Sequence, residues 1–117
     1  MRKFTKEESE VAVLAILKNH VGVENAITDS MIRHIIQVAD PDDRKPSAGL
    51  RDVINSLRQQ GEPICSGLVG YWYAVDIDEL EQNINALDGR ALKIMSATKG
   101  MKECLNRWKT RGQNSLL

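Results

Sequence analysis

Apolar residues in this chain recur at helical spacing over most of its length and alternate over one short stretch. The clearest helical set is Leu50, Val53, Ile54 and Leu57, an i, i+3, i+4, i+7 pattern. It buries one face and leaves Arg51, Asp52, Asn55, Arg58 and Gln59 on the other, with Ser47 as candidate N-cap and Gly61 as stop. Two helices are predicted before it. Thr5-Lys6-Glu7-Glu8 is a capping box opening a largely buried helix from about Lys6 to about His20. Val11, Leu14 and Ala15 mark its face, Val13, Ile16 and Leu17 widen it, and Gly22 ends it. Thr28-Asp29-Ser30 offers the next N-cap, ahead of Met31, Ile32, Ile35, Ile36 and Val38. That helix stops before Pro41, which disfavours a helical residue in front of it.

After Gly61 the period changes. Pro63–Ser66 and Tyr71–Val75 are short strand candidates around Gly67-Leu68-Val69-Gly70, a hairpin signal, and a short strand near Asn25–Thr28 is expected to pair with this ribbon. A second capping box, Asp76-Ile77-Asp78-Glu79, then opens a long helix, with Val75 placed to staple onto Leu80. Its apolar residues step by three and four. With Ile77 at a, the a positions are Ile84, Ala91, Thr98 and Leu105, and the d positions are Leu80, Leu87, Ile94, Met101 and Trp108. Gly89 and Gly100 fall outside this seam. Ile77 and Leu80 are expected to pack back on the preceding domain, while four helical repeats, about 45 Å of helix, cannot all do so, and the far end needs a partner or must fold back near Gly100.

The pattern predicts a mainly α (α+β) chain: a winged helix-turn-helix with a small β-hairpin wing over residues 1–75, a coiled-coil dimerisation helix over 76–111, and a frayed tail over 112–117. A chain of 117 residues has room for one modest core and one appended element. With five aromatic residues, three of them consecutive at Tyr71-Trp72-Tyr73, that core must be aliphatic. Trp72 should face opposite to the two tyrosines, and an aromatic face left open could bind a protein.

Formal net charge is zero, yet the charges are segregated. Residues 76–88 carry five acids and no base, whereas residues 89–117 carry seven bases and one acid. The stretch 44–75 is also net basic, with Arg44, Lys45, Arg51 and Arg58 against Asp52 and Glu62. Phosphates are best met by these two basic stretches. Lys99, Lys102, Arg107, Lys109 and Arg111 would add salt-dependent attraction. Cys65 and Cys104 stand alone, without a CxxC pair, and read as reduced cysteines of a cytoplasmic protein. No apolar run approaches the ~18 residues of a membrane span, and the start lacks a signal-peptide core. Catalysis finds no support. His20 and His34 lie on different predicted segments, Asp42-Asp43 reads as a solvated turn, and no phosphate-binding loop or metal-ligand cluster is present. No cofactor, metal or catalytic residue is expected.

Helix plus hairpin suggests double-stranded DNA as the partner. Arg51 and Arg58 can donate in pairs to guanine edges or phosphates, and Asn55 can do the same for adenine. Lys45, Ser47 and Gln59 extend that face, and Ser66, Gly67, Leu68 and Gly70 form the wing edge available to backbone or minor groove. Two copies joined through the long helix would read paired half-sites. Early acids and late bases favour an antiparallel pairing electrostatically, although the seam by itself leaves the orientation open.

The stretch GLRDVINSLRQQGEPICS, then GYWYA and DELEQNINALDGRALKI, resembles winged-helix proteins of tailed bacteriophages and prophages. The helix–wing layout is also similar to the DNA-binding modules of the biotin and arginine repressors. The resemblance covers roughly residues 26 to 92. It implies sequence-specific DNA binding in phage transcription control or replication initiation, with Arg51 and Arg58 on the recognition helix and Ser66 and Gly70 in the wing. The wing tip Gly67-Leu68-Val69 departs from that pattern by lacking a Lys or Arg. The alternative function is a winged-helix interaction module that binds a host transcription or replication protein through Tyr71-Trp72-Tyr73 or the long helix.

Overall fold

A computed structural model describes residues 4–36 and 48–112. Four helices and one hairpin follow in order: α1 (Lys6–Leu17), a 3₁₀ turn (Val23–Asn25), α2 (Asp29–Ile35), α3 (Ala48–Gln59), β1 (Ile64–Gly67), β2 (Gly70–Tyr73) and α4 (Ile77–Thr110). The described residues are mainly helical, with one small antiparallel hairpin and a long C-terminal helix. Ser47, the candidate N-cap of α3, and Val38 lie outside the described residues.

The first capping box is complete. The Glu8 amide donates to Thr5 Oγ1 at 3.2 Å, and the Thr5 amide donates back to Glu8 Oε1 at 3.1 Å. Thr28 caps α2 by accepting from the Met31 amide. The buried line of α1 is Ser9, Val13 and Leu17. Val11, expected on the buried face, is instead 72% exposed. It lies about 200° around the helix from Val13, at 100° per residue, so the two cannot share a face. The helix also stops at Leu17, and Gly22, expected to end it, serves the sheet: its amide donates to the Tyr73 carbonyl.

Leu50, Val53, Ile54 and Leu57 are all buried, as their spacing predicts. They meet Val13 and Leu17 of α1, Ile32 and Ile36 at α2, Ile27 and Ile64 in an aliphatic core. Gly61 ends α3 with positive φ, the Gly61 amide donating to the Arg58 carbonyl and the Glu62 amide to that of Leu57. This double bond pattern satisfies the last carbonyls of the helix.

Ile64 pairs with Tyr73, Cys65 with Trp72, Ser66 with Tyr71, and Gly67 with Gly70, leaving Leu68 and Val69 as the loop. The expected strand near Asn25–Thr28 is reduced to one bridge, in which Ile27 and Tyr71 exchange two hydrogen bonds of 2.8 Å. A 3₁₀ turn before it and the α2 cap after it leave no longer extended run. Gly70 is required here. Its φ is +117°, and a Cβ would sit 2.3 Å from the Ile27 carbonyl oxygen.

Asp76 caps α4, accepting from the Glu79 amide at 2.8 Å. The chain divides into two compact units, one through Asn83 and one from Ile84 onward. The first turns of α4 thus belong with the N-terminal unit, eight residues beyond the 75/76 boundary that the sequence suggests. Within them Leu80 is half-buried, but Ile77, expected to pack inward, is 78% exposed. The contacts that dock this turn are polar. Beyond Asn83, no residue of α4 is buried. No helix among the described residues is long and apolar enough to cross a membrane.

Candidate nucleic-acid interface

Burial of the apolar face of α3 turns Arg51, Asn55 and Gln59 outward, spaced by four residues along one exposed stripe. These side chains share the donor and acceptor chemistry that matches base edges and phosphates. Arg58 stands apart from them. Its Nε donates to the Ile64 carbonyl at 2.9 Å and its Nη2 to Ser66 Oγ at 3.0 Å. Half-burial lowers its pKa, but guanidinium remains cationic at neutral pH. Its two donors tie the C-terminal turn of α3 to β1, a role that differs from the base-reading role its position suggested.

Ser66 is likewise engaged inside the domain. Beyond accepting from Arg58, its amide donates to Asn83 Oδ1 at 3.3 Å, and its carbonyl accepts from Asn83 Nδ2 at 2.8 Å. The Asn83 amide thereby bonds β1 much as a neighbouring strand would. Gly67 and Leu68 remain at the outer end of the hairpin, Leu68 fully exposed, while Gly70 is held against Ile27. Lys45 and Ser47 lie outside the described residues.

The ribbon has two covered faces. Tyr71 packs against the aliphatic core, and burial together with Asp29 raises its pKa against the opposing pull of Arg58 and Arg51. Trp72 points to the opposite face, as alternation requires, and is buried there. Its Nε1 donates to Glu79 Oε1 at 2.8 Å. Tyr73 donates its hydroxyl to Glu62 Oε2 at 3.1 Å, and desolvation, then that bond, raise its pKa. Trp72 is thus buried and the two tyrosines are half-buried, each member of the triplet having contacts within the domain.

Glu79 and Asn83 are the residues that sequence reasoning missed. Glu79 Oε1 also accepts from the Val75 amide at 3.1 Å, and its Oε2 accepts from the Val23 amide at 3.4 Å. The expected return bond to Asp76 is replaced by this three-way junction of ribbon, 3₁₀ turn and α4. Only the pairing of Trp72 with an acid seven residues on, in the first turn of a helix, signalled it. Asn83, at heptad position g, gave no such signal. Beside them, burial and the Glu79 charge push the Cys65 thiol up to about 11.

The seam residues are ordered along α4. Leu80, Leu87 and Trp108 are half-buried, and Ile84, Ala91, Ile94, Thr98, Met101 and Leu105 are exposed. Leu80, like Ile77 before it, belongs to the first unit. His20 donates from Nδ1 to the Asn25 carbonyl at 2.8 Å, closing the 3₁₀ turn, and His34 is exposed on α2. Among the described residues no three His, Cys, Asp or Glu side chains gather to hold a metal ion. No protein-family model, curated protein or solved structure matches the chain.

Proposed function

We propose that the unit through Asn83 is a winged helix-turn-helix that binds double-stranded DNA without catalysis, as a dimer joined through α4. In this reading α3 enters a major groove, with Arg51, Asn55 and Gln59 toward the bases, and the β1–β2 hairpin is the wing. The observation that carries it is the exposed polar stripe of α3, left free by complete burial of the opposite face. The order helix, isolated bridge, helix, helix and hairpin supports the same reading. A role in phage-type transcription control or replication is part of the same proposal and rests on the sequence resemblance of residues 26–92 alone. Arg58 acts here as a positioning residue that fixes the wing to the recognition helix.

Binding to a fluorescent random-sequence duplex across a salt series tests it. Affinity should fall linearly in log salt, with a slope of about −0.9 per phosphate neutralised. Arg51→Ala should reduce that slope and weaken binding, and Asn55→Ala should weaken binding to a selected site while sparing non-specific binding. No binding at low salt would overturn the reading. The hairpin tip favours a second one, in which the exposed Leu68 and Val69 contact a host transcription or replication protein.

A further inference from the structure

From Ile84 to Thr110 the second unit is one helix with an uncovered apolar seam, and Ile84, Ile94, Met101 and Leu105 on it are 47–69% exposed. Its charges are polar in the other sense: acids occupy the N-terminal part of α4 and bases the C-terminal part. We infer that a second copy of this chain covers the seam antiparallel, with the two-fold axis beside Ser96. This rests on the proposed dimer and adds its orientation and register.

Charge complementarity selects the arrangement. In antiparallel coils, e positions face e positions of the partner, beside layers that pair a with d. With the axis at Ser96, Glu81 faces Lys109 of the second copy, Asp88 faces Lys102, and Met95 meets its own counterpart. All four charged side chains are exposed and available. Sliding the copies by one heptad keeps only one opposite-charge pair, Glu81 with Lys102 or Asp88 with Lys109. A parallel pair sets each g against the following e of the partner, which couples Asn83 with Asp88, Arg90 with Met95, Ala97 with Lys102 and Cys104 with Lys109, with no opposite charges.

Layer volumes agree with the same register. Ala91 lies opposite Met101, Ile94 opposite Thr98, Leu87 opposite Leu105, and Ile84 opposite Trp108. Each small or polar residue thus meets a larger apolar one, which fills the seam without self-stacking Ala91 or Thr98. Gly89 and Gly100 point away from it.

Sedimentation equilibrium on the full chain supplies the test. Asp88→Lys and Lys102→Glu should each weaken the dimer roughly three- to tenfold, since each turns two opposite-charge contacts into like-charge ones. The double variant D88K/K102E should return to within about twofold of the original. Orientation is read by oxidative cross-linking in a Cys104→Ser background, with the buried Cys65 retained. Ala97→Cys lies beside the axis and should cross-link. Ile84→Cys residues would be about 36 Å apart at 1.5 Å per residue and should not. Cross-linking of Ile84→Cys, no rescue by the double variant, or a monomer at 200 µM, well above the dimer range of an ordinary coiled coil, each overturns the proposal. A monomer that still binds DNA with the expected salt slope overturns the pairing alone.

Discussion

At the scale of single residues, the two cysteines and Asn83 show how burial and bonding divide roles that composition leaves equal. Cys65 is fully buried, and its thiol is pushed up to about 11 by desolvation and by Glu79, whereas Cys104 is half-exposed on α4. Thiolate is the reactive form. At pH 8, a thiol reagent should therefore modify one cysteine per chain rapidly, and Cys104→Ser should abolish the fast phase, leaving Cys65 to react only on unfolding. A raised folded pKa stabilises the protein below the unfolded thiol's value and is lost as pH rises toward 11, so stability should decline across that interval. Asn83 exchanges two hydrogen bonds with the Ser66 backbone. Asn83→Ala should lower unfolding stability by about 1–2 kcal/mol. Asn83→Asp should cost at least as much, because it sets a carboxylate oxygen against the Ser66 carbonyl. Urea titration at a fixed protein concentration compares the two, and an Asp variant as stable as the original would remove Asn83 from its docking role.

At the scale of elements, α3 carries two arginines with separate tasks. Arg51 lies on the exposed stripe, and Arg58 spans to Ile64 and Ser66. Arg58→Ala should lose about 1–3 kcal/mol of stability, the cost of removing a half-buried charged donor from two acceptors. Arg51→Ala should leave the thermal midpoint within about 2–4 °C, in line with surface substitutions of less than 0.5 kcal/mol, while weakening DNA binding. Melting curves and duplex titrations on both variants check the division; equal loss of stability in both would reject it. The elements themselves were legible wherever a local signal decides them. Thr5, Thr28 and Asp76 cap helices because their side chains reach amides three residues on, and Leu50, Val53, Ile54 and Leu57 bury because their spacing makes one face. Tertiary geometry decided the rest. Which side of α1 faces inward depends on where α3 lies, so Val11 was misplaced. The outer face of the hairpin is closed by Glu79 and Asn83, polar residues whose partners are seven and seventeen residues away. No periodicity encodes such a junction, so the sequence alone leaves open what covers Trp72.

At the scale of the whole molecule, the larger N-terminal unit has its own core and the C-terminal helix does not. Among the described residues the unit through Asn83 contains every buried apolar residue, whereas the helix from Ile84 to Thr110 buries none. An isolated helix gains too little from its own backbone bonds to persist firmly in water, and Gly89 and Gly100 each weaken this one by about 1 kcal/mol. Its order must then come from association, so helicity and oligomeric state are linked by mass action. On dilution from 100 µM to the nanomolar range, which spans dissociation of a micromolar dimer, the far-UV helical signal should fall by the share that Ile84–Thr110 contributes. The fluorescence of Trp108 should move toward that of a solvated indole, and a Trp108→Phe variant isolates Trp72, whose emission should stay constant because Glu79 and the ribbon hold it within one chain. Raising salt should weaken the association if Glu81, Asp88, Lys102 and Lys109 guide it, since exposed pairs are screened within about 10 Å at 0.1 M. A helical signal independent of concentration, together with a monomeric mass, would mean that the long helix is stable alone, and its apolar seam would then have to be explained by a different partner.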